Sequence, residues 1–206
     1  MALIHRATIS PTKAELLNDW VPTQPWGKRE LALVAAYRFD DPDGEVGIET
    51  HVLSSADGDL LQVPLTYRGA PLDGAEPFLI CTMEHSVLGR RWIYDATGDP
   101  VYAAVLASVL LAGVAQAEER VEGADAPREP SMRVTASGSG ARDVPPVRDV
   151  RVSSDDSTTV VETSGALRLV VRRRLDVRAA APTDRESTLT GTWTGLASPV
   201  VLAYVD

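Results

Sequence analysis

Cysteine is nearly absent. Cys81 stands alone in 206 residues, so no internal disulfide can form and no cysteine cluster can hold a metal. Lysine is almost as scarce: of 20 basic residues only Lys13 and Lys28 are lysine, a skew that reads as a GC-rich genome rather than as a function. Basic residues are also outnumbered, and the net charge of −9 argues against a sequence-independent grip on nucleic acid. Long apolar runs are missing. The most apolar stretch, Val101 to Ala117, is rich in alanine and contains Ser108 and Gly113. It is shorter than the ~20 apolar residues of a membrane span and reads as a buried helix. The start, MALIHRATIS, has no apolar h-region and no cleavage site, so no secretory signal is read there and the expected location is cytoplasmic.

What is present is an ordinary globular composition, 44% hydrophobic and 24% charged, which excludes wholesale disorder. Residues 12–20, TKAELLNDW, predict a short helix with Thr12 as cap and Glu15 at the capping-box position. Five strand-like runs follow at 31–39, 47–55, 60–68, 78–89 and 90–96, separated by the turn-rich DDPDGE, ADGD and RGAPLDGAEP. They predict an antiparallel meander. Pro64 inside the third run predicts an edge position or a bulge. Asp99-Pro100 opens the best helix, with Asp99 as cap and Pro100 at the first helical position. Its pattern continues to Val121, with Gly123 as the stop. Small residues such as Ala103, Ala107 and Gly113 place this helix close against the concave face of the meander. Residues 123–148, rich in Pro, Gly and Ser with one short strand at MRVTA, form the expected linker. Two hairpins then follow, 157–163 with 166–177 and 185–195 with 198–206. The fold class is therefore α+β: residues 1–122 form a first domain and 149–206 a small antiparallel β subdomain.

Catalytic motifs are not found. The Gly138-Ser139-Gly140 tripeptide leads into Ala141-Arg142 rather than Gly-Lys-Ser/Thr, so it reads as linker and not as a phosphate loop. Glu49 and His51 share a strand face, while Glu84 and His85 sit on another strand as neighbours that point to opposite faces. They read as a polar sheet face with hydrogen-bonded histidines, and no metal site is assigned. Cys81 lies in the apolar run FLICTM and reads as core. Three aromatics, Tyr67, Trp92 and Tyr94, are the candidate ligand-binding residues, since aromatic platforms hold sugars; packing is the competing reading. Arg172 and Arg174 share one strand face, with Arg173 on the other. That pair is the candidate contact for an anion or a partner, set against the reading of a solvated edge strand.

The strand Val63-Pro64-Leu65, the run Gly89 to Ala96 (GRRWIYDA) and the Asp99-Pro100 pair resemble the N-terminal cap domain of actinobacterial maltokinases and related aminoglycoside-phosphotransferase-like sugar kinases. The resemblance covers residues 1–120. It implies a cystatin-like cap, a curved antiparallel sheet wrapped on one long helix, which agrees with the reading above. In those kinases a hairpin at the start of the nucleotide-binding lobe follows the cap. Here it is matched by Ser157 to Val161 and Leu167 to Leu175. In that register Val170 stands where the kinases carry their nucleotide-pairing lysine, and a valine cannot neutralise phosphate charge. The run SPVVLAYVD resembles the last strand before the hinge, and these residues contain neither an H-x-D catalytic loop nor a D-F-G triplet.

The resemblance thus implies a kinase-like N-lobe with its cap and without the catalytic lobe. The expectation is a non-enzymatic interaction or regulatory module in sugar or glucan metabolism, with no cofactor. Its expected partner is a protein, a sugar kinase or a glucan enzyme; nucleic acid and membrane are not expected partners. A small saccharide-binding protein is the alternative, and a subunit of a split sugar kinase the second. Glucan branching by these residues is excluded, because that chemistry uses paired carboxylates on a (β/α)₈ scaffold.

Overall fold

The computed structural model of the chain describes residues 2–138, 140, 143–178 and 187–206. The first layer is a curled sheet built from β2 (Ile9–Ser10), β3 (Ala32–Phe39), β4 (Gly47–Ser54), β5 (Leu60–Arg68), β6 (Leu79–His85) and β7 (Gly89–Asp95). Its spatial order is β2-β6-β7-β5-β4-β3, with antiparallel neighbours throughout. The tight turns read from sequence make these joins. Asp41 accepts hydrogen bonds from the backbone N–H groups of Asp43, Glu45 and Val46, and Gly44 takes the positive φ of 74° that the turn requires.

Each face of this sheet has its own helix. Helix α1 (Lys13–Trp20) opens with the predicted capping box, Thr12 with Glu15, and packs Leu16 and Leu17 with Val21 and Trp26 against Leu61, Val63, Leu65 and Ile93. The other face carries Tyr37, Phe39, Ile48 and Val52 and meets α2 (Pro100–Ala112). Asp99 caps α2 by accepting from the N–H of Val101 at 2.9 Å, and Pro100 follows it, as the sequence predicts.

Helix α2 does not run to Val121. It ends at Gly113, which has φ 73° and donates its N–H to the Val109 carbonyl at 3.1 Å. This is a left-handed cap for which glycine is the natural residue. The backbone of Gly138 packs on the carbonyls of Leu110 and Leu111, where a Cβ would lie 2.5 Å from the first. The residues expected to continue the helix instead reach β8 (Glu119–Val121), which pairs in parallel with β1 (Ala2–Ile4).

The second sheet contains β9 (Met132–Ala136), β10 (Val150–Ser154), β11 (Thr158–Thr163), β12 (Arg168–Arg172), β14 (Thr188–Trp193) and β15 (Val200–Val205), in the order β10-β11-β12-β15-β14-β9. Both predicted hairpins form, with Val160 opposite Val170 and Leu189 opposite Ala203; residues 185 and 186 of the second fall outside the described residues. The strand at 132–136, inside the expected linker, pairs with β14. Met132 is buried there over Gly191, where a Cβ would meet its Cε at 2.1 Å. Helix α2 lies against β11, β12, β14 and β15. One cluster joins Tyr37 and Ile48 of the first sheet, Leu106 and Leu110 of α2, and Leu169 and Leu202 of the second. The helix is therefore shared between two sheets rather than nested in the meander alone. The fold is α+β, with curled, mostly antiparallel sheets about one main helix.

The chain crosses from the second sheet to the first at Arg173. Directly after β12, β13 (Arg174–Leu175) pairs with the start of β5. Pro64 is explained by this crossing. It lies in a central strand, not at an edge, in the gap between the part of β5 that pairs with β13 (Leu60, Leu61) and the part that pairs with β7 (Leu65 to Arg68). A missing N–H costs nothing where no strand asks for one.

Candidate functional site

A cavity of about 740 Å³ opens on the α1 side of the first sheet, beyond the end of the apolar packing. Its floor is set by register. Arg38 on β3 is directly opposite Glu49 on β4, and Glu49 is opposite Leu65 on β5, two residues from Tyr67. Glu49, His51 and Tyr67 thus share one face. Lys13 enters from the first turn of α1, held in place by the capping box. Glu49 is buried and accepts from Lys13 Nζ at 2.5 Å, Arg38 Nη2 at 3.0 Å and the Tyr67 hydroxyl at 3.0 Å, with His51 Nε2 at 3.4 Å. Burial alone would raise the Glu49 pKa, but the charges of His51, Lys13 and Arg38 hold it well below the usual carboxylate range. Burial and the adjacent Glu49 carboxylate push the Tyr67 hydroxyl well up. Tyr67 therefore acts as a neutral donor to Glu49, and its ring lies 5.6 Å from the Lys13 ammonium.

The walls come from three further segments. Met83 and His85 of β6, Arg91 of β7 and the exposed Leu88 line one side, and Leu3, His5 and Ile9 of the N-terminal segment line another. The β3–β4 loop forms the rim, where Asp41 is already committed to its own backbone N–H groups. His85 Nδ1 accepts from the N–H groups of Val87 and Leu88 at 3.2 and 3.1 Å, which puts the proton of the neutral ring on Nε2. Its pKa is lowered by burial and then by His5, Arg91 and Lys13. His5 stacks edge-on at 6.0 Å and reaches Glu122 at 3.3 Å. His5 and His85 line this cavity, and the third histidine, His51, is buried beside Glu49.

The candidate aromatics are divided by the sheet. Tyr67 is opposite Ile93 and faces the cavity, whereas Trp92 and Tyr94 take the other face of β7. Tyr94 is buried, and its hydroxyl accepts from the Leu72 N–H at 2.8 Å. The three do not form one platform. Glu84 and His85 are on β6, separated by β7 and β5 from Glu49 and His51 on β4. Among the described residues no group of three or more His, Cys, Asp or Glu is placed to hold a metal ion. Cys81 is half-buried beside the α1 cluster, and burial pushes its thiol pKa up, which disfavours the thiolate.

The arginine run is divided as well. Arg172 is half-buried, its guanidinium 5.7 Å from the Tyr204 ring. Arg174 donates to the Trp26 carbonyl at 3.3 Å. Sequence reasoning passed over Arg173, which is fully buried. Its Nη2 donates to both Asp95 oxygens at 2.7 and 2.6 Å and to Thr97 at 3.0 Å, and its Nε donates to Thr159 at 2.7 Å. It also lies 4.5 Å from the Trp26 ring. This clamp ties β7 to β11 at the crossing point. The available signal was the strand alternation that sets Arg173 apart from its neighbours. A second fork, Arg68 to Asp99 with both bonds at 2.7 Å, fixes the start of α2 on β5.

Comparison with known proteins bears on residues 20–99, which match the family described as the maltokinase N-terminal cap domain. No curated protein matches the chain. Among solved structures, a glucosamine kinase in complex with glucosamine, ADP and inorganic phosphate is similar, with 20% sequence identity and a TM-score of 0.47. The match covers 95% of this chain, which spans 40% of the length of that kinase. Residues 20–99 of this chain are thus a maltokinase N-terminal cap-like domain.

Proposed function

We propose that this protein is a non-catalytic module of sugar or glucan metabolism that works by contacting a protein partner, a sugar kinase or a glucan-handling enzyme. The observation that carries the reading is Val170. In the kinase resemblance its position belongs to the lysine that pairs with the nucleotide. Here it is an aliphatic side chain on β12, 4% exposed, between Val160 and Tyr204. No charge at that position can meet a phosphate, and electrostatic stabilisation is most of what phosphoryl transfer asks of a protein. The cap fold is meanwhile kept whole, with Arg173 and Arg68 holding it to the second sheet and to α2.

The test is a calorimetric titration of the purified chain with Mg-ATP, run beside a phosphotransfer assay on maltose, glucosamine and trehalose. The reading expects no nucleotide binding and no turnover. It also expects stoichiometric co-purification with a sugar kinase or glucan enzyme from the native lysate. Sugar-dependent ATP turnover by the chain would overturn it.

A further inference from the structure

We propose that the cavity between the N-terminal segment and the first sheet is a binding site for a small organic anion with an apolar body, its acidic head held by Lys13, Arg38 and Arg91. The cationic groups set the head. All three side chains line the cavity, and the one buried carboxylate among them is Glu49. Lys13 and Arg38 each spend part of their donor set on Glu49, and Arg38 Nε also lies 3.9 Å from Glu119, leaving further N–H groups to each. Arg91 donates Nη2 to the Leu88 carbonyl at 2.6 Å, and its Nε is buried without a hydrogen-bond partner among the described residues. A buried donor left open is costly unless something accepts from it. The surroundings of His85 report the same field: after burial, the charges of His5, Arg91 and Lys13 lower its pKa. The lining sets these three cations against four carboxylates, with Glu49 at the floor and Asp40, Asp41 and Glu45 in the β3–β4 loop, so the cations are gathered on the inner part of the cavity.

The walls set the body. Ile9, Met83 and Leu88 line the cavity from β2, β6 and the β6–β7 turn, strands removed from Glu49, and Leu3 lines it from β1; Leu3 and Leu88 are 47% and 44% exposed. The acidic lining residues Asp40, Asp41 and Glu45 belong to the β3–β4 loop, on the rim. A cavity of about 740 Å³ lies in the size range that encloses a small molecule, about 300–1,000 Å³. Arg91, opposite Met83 and bonded to the Leu88 carbonyl, flanks the apolar residues from one side, and Lys13 and Arg38 flank them from the Glu49 side, so the lining suits a molecule that joins an acidic group to an apolar body.

The probe is 8-anilinonaphthalene-1-sulfonate, an aromatic anion, titrated by fluorescence into the full chain beside its neutral analogue N-phenyl-1-naphthylamine. The expected result is one site that binds the sulfonate at least about tenfold tighter than the neutral dye, the scale of one charge-assisted contact. Lys13→Gln and Arg91→Gln should each weaken the sulfonate about tenfold and leave the neutral dye unchanged. Leu88→Glu, at an exposed position that folding tolerates, should weaken it by as much, so the proposal stays exposed to test if an ion-pair variant folds poorly. Arg151→Gln on β10 should change nothing. Octanoate should displace the dye and inorganic phosphate should not. Equal affinity for the two dyes, indifference to Lys13→Gln, Arg91→Gln and Leu88→Glu together, or displacement by phosphate as effective as by octanoate would each overturn the proposal.

Discussion

Two charge clusters sit on the same curled sheet and differ in one respect. The Arg173–Asp95 cluster is sealed: the guanidinium is 0% exposed and fixed by three partners on two sheets. The Glu49 cluster is open: its carboxylate is buried, but Lys13 is 33% exposed and the group floors a cavity. Sealed charges resist removal, because the partner left behind is desolvated and alone. Open charges contribute less to folding and keep donors for something that arrives from outside. The same ion-pair chemistry thus fastens the structure at one place and equips a site at another.

Breaking the sealed cluster should have the largest effect. Arg173→Met strands Asp95 and should cost about 3–5 kcal/mol in urea denaturation. Adding Asp95→Asn should recover part of that loss, since no bare buried charge then remains. The Arg68–Asp99 fork is intermediate, with Asp99 0% and Arg68 18% exposed. Asp99→Ala removes both a helix cap and a charged fork and should cost about 2–3 kcal/mol, read as the same shift in unfolding free energy.

Glu49→Gln should cost about 1–2 kcal/mol at neutral pH. Its pH dependence sharpens the comparison. The folded Glu49 pKa lies below its unfolded value, so its stabilisation is fully present above about pH 4.3 and is lost as pH falls toward the folded value. The Gln variant should therefore show a shallower loss of stability on acidification than the parent. Lys13→Gln should be smallest for stability, under about 1 kcal/mol, yet clear in dye binding. A Lys13 variant that unfolds as severely as the Arg173 variant would remove the distinction between the two clusters.

Much of the fold was legible in local chemistry. The Thr12–Glu15 box, the Asp99-Pro100 start and the Asp-Gly turns each satisfy their own backbone groups within a few residues, so they survive any tertiary context. The end of α2 was not legible. Gly113 takes the left-handed cap, but the residues after it keep a helical composition and a later glycine, Gly123, competes with it as the stop. Pro64 misled because the gap it fills is made by β13, more than a hundred residues later in the chain. At the candidate site Tyr67 was read from its type, but its partners were not. Lys13, Arg38 and Glu49 come from three elements, and only sheet register and the placement of α1 bring them together. Arg173 hid in plain view: a run of three arginines reads as a solvated edge until the crossover between sheets puts the middle one inside.

The central claim is that the Arg173 cluster fastens the cap sheet and the second sheet into one cooperative unit. Native-state hydrogen exchange tests it most directly. The account predicts that the core amides of β4 and β5 and those of β11 and β12 open with one shared free energy, and that Arg173→Met lowers both together. Exchange of β11 and β12 through a separate opening, well below that of β4 and β5, would contradict it.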